Sequence, residues 1–262
     1  MNYYNTAISL TNLAAGNYYR TNHHSSLFAA ADALGIDMPD ALVKTLKEIG
    51  KAQKAFTEFS HTQHSALTFD DLVSPRAQDT LAATVALRVN VQEAHRVTAE
   101  VNTAIGGEFM RAVYEAVPYY YGQVEALALE NQDLREYMFV VAPEHPGTLR
   151  EKAMLWTRLA QLHTALRGVE EPDRDDKVPF GGVLAFIDWP TDEWLEYHDE
   201  NRINRTIADP WKWAHERGYP ISVTKSHAET LTRYRQLAEA LDAHEAEREK
   251  ARMQPGLVRG VR

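Results

Sequence analysis

The stretch LRVNVQEAHRVTAEVNTAI, residues 87–105, decides how the rest of the chain reads. Leu87, Val91, Ala94, Thr98, Val101 and Ile105 follow one another at alternating steps of four and three. That stepping is the signature of a helix with one apolar seam that packs on another helix. The same pattern runs upstream through Leu42, Leu46, Ile49, Gln53 and Phe56, where Asp37 followed by Pro39 supplies a helix start. Ser74-Pro75 punctuates the chain between the two runs. Downstream, Gly106-Gly107 predicts an end or a bend, and a further helical run from Phe109 through Val124, Leu127, Leu134 and Met138 is expected to be interrupted near Pro118. After the break Ala142-Pro-Glu-His-Pro-Gly147, a capping box of Thr148 and Glu151 opens a helix through Leu149, Leu155, Leu159, Leu162 and Leu166 that Gly168 should close.

The fold class that follows is mainly α. Residues 37–168 read as an elongated helical hairpin or bundle, residues 169–225 as a smaller Trp-rich mixed module, and residues 226–262 as a C-terminal helix with a basic tail. The mixed module begins with the acidic run EEPDRDDK, residues 170–177, whose carboxylates lack the ligand spacing of a calcium loop. It holds the best strand candidate in the chain, Val183–Ile187, and four of the five tryptophans, of which Trp189, Trp194, Trp211 and Trp213 are expected to form one aromatic mini-core. Asp209-Pro210 is a helix start, Gly218 a helix stop, and Ser226 with Glu229 a second capping box.

Residues 1–36 form an N-terminal arm rich in Tyr and Asn, and within residues 1–31 Arg20 is the one charged side chain among Lys, Arg, Asp and Glu. Two expectations compete for it. The arm folds as two short elements on the core with Gly16 as the turn, or it docks on another subunit through Tyr3, Tyr4, Tyr18 and Tyr19, because uncharged aromatic surface gains contact area without desolvating charge.

Composition bounds the function. The chain has 262 residues, no cysteine and a formal net charge of −9, which excludes disulfides, thiolate metal sites and cysteine nucleophiles and disfavours a general electrostatic grip on duplex DNA. No apolar run approaches bilayer length, and the first residues lack the basic and apolar regions of a secretory signal, so no membrane partner and a cytoplasmic location are expected. The sharpest local chemistry is EFSHTQH, residues 58–64, where Glu58, His61 and His64 recur at three-residue intervals with Glu93 or His95 as a conceivable third ligand. Ser60, Thr62 and Ser65 make that stretch read as a polar loop at the frayed end of a helix, so no metal and no cofactor are expected. Arg202, Arg205, Lys212 and Arg217, interleaved with Trp211 and Trp213, have the composition of a single-strand surface, diluted by Asp199, Glu200, Asp209 and Glu216. His163 reads as a boundary residue of an amphipathic helix, and no catalytic or phosphate-binding template is present.

The functional expectation is therefore a non-catalytic interaction or assembly protein that binds itself or a protein partner. The combination of helical hairpins and docking arms resembles structural and assembly proteins of bacterial viruses, which implies a homo-oligomeric component of a virion. The alternative is a metal-binding helical-bundle enzyme using Glu58, His61 and His64, and a weaker one is a nucleic-acid-associated factor using the 202–217 surface.

Overall fold

A computed structural model describes residues 3–14, 18–62, 77–133, 147–170, 181–204 and 209–253, with backbone alone at 9–14, 18–22, 55–62, 77–99, 147–150, 152–153, 181 and 201–204. Among the described residues the regular structure is helical: α1 (Tyr3–Ala14), α2 (Tyr18–Ala33), α3 (Asp40–Thr62), α4 (Ala77–Glu130), α5 (Gly147–Glu170), α6 (Gly181–Leu184), α7 (Thr191–Asn204), α8 (Pro210–Glu216) and α9 (His227–Met253). The mainly-α reading therefore holds. None of these helices is long and apolar enough to cross a membrane. The chain divides into two compact units, residues 1–117 and 118–262, with the division falling inside α4.

In the first unit the alternating stepping of the sequence becomes a packed face. Leu42, Leu46 and Ile49 of α3 are buried, as are Phe109, Val113, Ala116 and Val117 of α4. Residues 3–14 and 18–33 are helices, with α1 packed against α2 and α3. Tyr4, Ala7, Leu27 and Phe28 are buried, and the Phe28 ring lies 6.1 Å from both Tyr4 and Phe109. The first turn beyond α2 fixes this arrangement. Gly35 adopts φ +68, a conformation open to glycine, so that Ile36 N–H reaches back to the Ala31 carbonyl at 3.0 Å and Gly35 N–H to Asp32 at 3.0 Å. The turned-back Ile36 carbonyl then accepts the Tyr4 hydroxyl at 2.7 Å. Tyr4→Phe is expected to destabilise the first unit by about 1 kcal/mol, since it leaves a buried carbonyl without its donor. Chemical denaturation monitored by circular dichroism measures this, and no change in midpoint would place the hydroxyl in water.

Several expected breaks are absent. α4 continues through Gly106-Gly107 and through Pro118, and α5 continues through Gly168 to Glu170. Propensity costs of about 1 kcal/mol per glycine and about 3 for proline are offset where the helix buries a face, and Phe109, Val113, Val117, Tyr120, Tyr121 and Val124 bury such a face on both sides of the proline. α3 likewise continues through Thr62, so Glu58 and His61 lie on helix rather than loop.

In the second unit the strand expectation is corrected. Val183 and Leu184 belong to the short helix α6, and Ala185 and Phe186 form a turn. Their carbonyls accept Thr224 N–H and Ser222 N–H, each at 2.8 Å, which is strand-like pairing confined to two bonds. The local punctuation behaves as read. Asp209 Oδ1 accepts Trp211 N–H at 2.8 Å, Gly218 turns at φ +70, and Ser226 Oγ accepts Glu229 N–H at 3.1 Å. The Glu229 carboxylate closes its box on Lys225 N–H at 2.7 Å, one residue earlier than the standard partner.

Candidate functional site

The tryptophans form two clusters, not one. Trp189, Trp194, Tyr197, Trp213 and Tyr219 surround one another with ring centroids 5.1–5.8 Å apart in the pairs Trp189–Trp194, Trp189–Tyr219 and Tyr197–Trp213. Trp211 instead stands with Phe186 and the fully buried Trp156 of α5, at 5.7 and 6.1 Å. Burial and the bond to Glu193 at 2.6 Å push the Tyr219 phenol up to about 12.

Beside the second aromatic cluster lies a largely buried polar junction. His163 projects from the buried face of α5, flanked by the rings of Tyr121 at 5.3 Å and Phe186 at 5.5 Å. Its Nε2 meets Thr224 Oγ1 at 3.0 Å and the Thr224 carbonyl at 3.3 Å. A carbonyl can only accept, which assigns the proton to Nε2. Thr224 Oγ1 continues to Thr230 Oγ1 at 2.7 Å, so the contact passes from α5 through the 222–224 segment into α9. Burial is the main reason the imidazole falls to about 4, opposed by the bond to the Thr224 backbone. Two turns further along α5, Glu170 Oε2 accepts both the Tyr121 hydroxyl at 2.8 Å and His227 N–H at 3.0 Å. Burial, then the Glu170 charge, pushes the Tyr121 phenol far up. Arg233 of α9 completes the junction, its Nη1 donating to the carbonyls of Leu184 at 3.1 Å and Ser222 at 2.7 Å and its Nη2 to Ser222 Oγ at 2.9 Å.

A hydroxyl 3.0 Å from an imidazole has the spacing of a nucleophile and its base, but with the proton on Nε2 the ring donates and cannot take the Thr224 proton. Here Thr224 is 0% and His163 3% exposed, so no substrate reaches the pair in this conformation. What the arrangement does is tie α4, α5, the 222–224 segment and α9 together through buried hydrogen bonds.

Comparison with protein-family models, with curated proteins and with solved structures finds no match.

The residues singled out in the sequence do not converge on this junction. Tyr4 is buried in its own unit, Tyr3 is half-buried with Lys47 Nζ 5.6 Å from its ring, and the side chains of Tyr18 and Tyr19 lie outside the described residues. The same holds for the side chains of Glu58 and His61 on α3 and of Glu93 and His95 on α4, and for His64 and Arg205 altogether. Arg202 lies on α7 with its side chain outside the description. Among the described residues no group of three His, Cys, Asp or Glu is placed to hold a metal. Lys212 is matched by Glu216 at 3.8 Å, and Arg217 by Glu193 at 3.3 Å and Glu196 at 3.0 Å, with its guanidinium 3.4 Å over Trp213. Arg217 therefore joins the end of α8 to α7, Lys212 pairs within α8, and both cations have carboxylate neighbours that compete with a phosphate.

His163 was legible only as a boundary residue of an amphipathic helix, whereas it is buried, and its partners carry no local motif because Thr224 is 61 residues away. Tyr121, Glu170, His227 and Arg233 were missed for the same reason.

Proposed function

We propose that the protein is a non-catalytic interaction component that assembles with copies of itself into a larger structure, using the seam of α4. One observation carries the reading. Val101 and Ile105, which continue the 87–105 seam, are only half-buried within their own unit, whereas Leu42, Leu46 and Ile49 of the α3 seam are closed off. Val101 and Ile105 stand one helical turn apart on α4, a helix of 54 residues, and together give a second copy an apolar contact point.

Light scattering across a wide concentration range tests it. The expected mass is a multiple of 29.7 kDa, falling toward that value in a Val101→Glu, Ile105→Glu double variant that keeps its helical circular dichroism. A mass of one chain at every concentration overturns self-assembly.

A further inference from the structure

Around the His163 imidazole the Thr224 carbonyl favours the charged form, and burial and the neighbouring cations oppose it. Tyr121 faces the ring from α4, and Phe186 from the turn after α6. The charges acting on it from α5 and α9 are Arg167, His227 and Arg233, each of which disfavours a second cation. Glu170 is the nearby carboxylate on α5, and its Oε2 is engaged by the Tyr121 hydroxyl and His227 N–H. Glu229 is occupied by the Lys225 backbone and lies 3.8 Å from Arg233, while the Lys225 ammonium is drawn to Glu125 at 2.9 Å. The segment that His163 touches, residues 222–224, is otherwise held by two backbone bonds to residues 185–186, by Arg233, and by the Thr224 hydroxyl on Thr230 Oγ1 and the Ala185 carbonyl. It is a short non-helical connection between α8 and α9.

We propose that this junction is an acid-operated latch, in which protonation of His163 frees residues 222–224 and the first turns of α9 from α5 while α4 and α5 remain helical. In the open form the imidazole returns to its ordinary value of 6.5, whereas in the closed form burial holds it at about 4. The closed state is thus fully favoured above pH 6.5 and loses that advantage as pH falls toward 4, raising the open fraction by on the order of a hundredfold. The latch does not depend on the assembly reading.

Hydrogen exchange with mass spectrometry on the full chain, corrected for the intrinsic pH dependence of exchange, follows the opening between pH 7 and pH 4. Peptides covering residues 219–234 should open on the order of a hundredfold more at the acid end, relative to peptides covering residues 24–49 of the first unit. In His163→Gln, which keeps a neutral polar side chain at every pH, that extra acid dependence should disappear. Unchanged acid dependence in His163→Gln, or both sets of peptides opening together in the wild type, overturns the latch. An NMR titration of the wild-type imidazole needs no variant to fold: a midpoint well under 6.5 supports the latch, and a midpoint at 6.5 overturns it.

Discussion

Trp156→Ala is expected to cost the second unit about 3–5 kcal/mol, the range for removing a buried large aromatic. Trp156 is 0% exposed on α5 and is packed edge-on against Phe186 at 5.8 Å and Trp211 at 6.1 Å. Phe186 is itself fully buried and flanks His163, so collapse into the space left by the indole would have to move the turn that positions the junction. The indole N–H adds a bond to the Asn131 carbonyl at 3.2 Å, which holds the end of α4 to α5. Trp156→Phe retains most of the apolar area and loses that donor, so less than half of the alanine cost is expected. Urea denaturation followed by circular dichroism measures both. A loss under about 1 kcal/mol for the alanine variant would show that the site refills from neighbours.

What the sequence made legible was local. The alternating steps at Leu42, Leu46 and Ile49 predicted a buried face, and Asp209, Gly218, Ser226 and Glu229 marked helix ends, because each signal depends on residues within one turn. The errors share one cause. Gly106-Gly107, Pro118 and Gly168 were read as stops by propensity, yet the helices around them bury continuous faces whose packing outweighs the local cost. Val183–Ile187 looked like a strand because a short apolar run fits either state, and all five residues are in fact buried in a helical turn and the loop after it.

The junction was illegible for a different reason. Its bonds join residues 49 to 61 positions apart in the cases of Tyr121 with Glu170, His227 with Glu170 and His163 with Thr224. No spacing rule covers such separations. The tryptophans illustrate the same limit, since composition grouped four of them correctly as aromatic packing, while the fold sends Trp211 away from the other three and toward Trp156. The Tyr-rich arm showed both sides. It was expected either to fold on the core or to dock on another subunit, and the structure places Tyr4 in contact with its own chain.

Arg233→Ala is expected to cost about 2–4 kcal/mol, a large effect for one residue on a helix otherwise rich in exposed charge. The stabilisation does not come from its carboxylate neighbours, since Asp188 and Glu229 both stand at 3.8 Å and both are substantially exposed. It comes from the planar guanidinium, whose two terminal nitrogens reach the Leu184 and Ser222 carbonyls and the Ser222 hydroxyl from a side chain only 11% exposed. Those acceptors belong to the two segments joined by the Ser222–Phe186 and Thr224–Ala185 bonds, so removing the donor leaves carbonyls unsatisfied where water enters poorly. Arg233→Lys keeps the charge with a single nitrogen and cannot reproduce the fork, so it should recover only part of the loss. Denaturation midpoints for the two variants separate the contributions. If lysine restores full stability, charge alone is what matters at position 233; if it recovers little, the fork geometry is what fastens α9 to the 184 and 222 segments, and the closed form of the His163 junction rests on it.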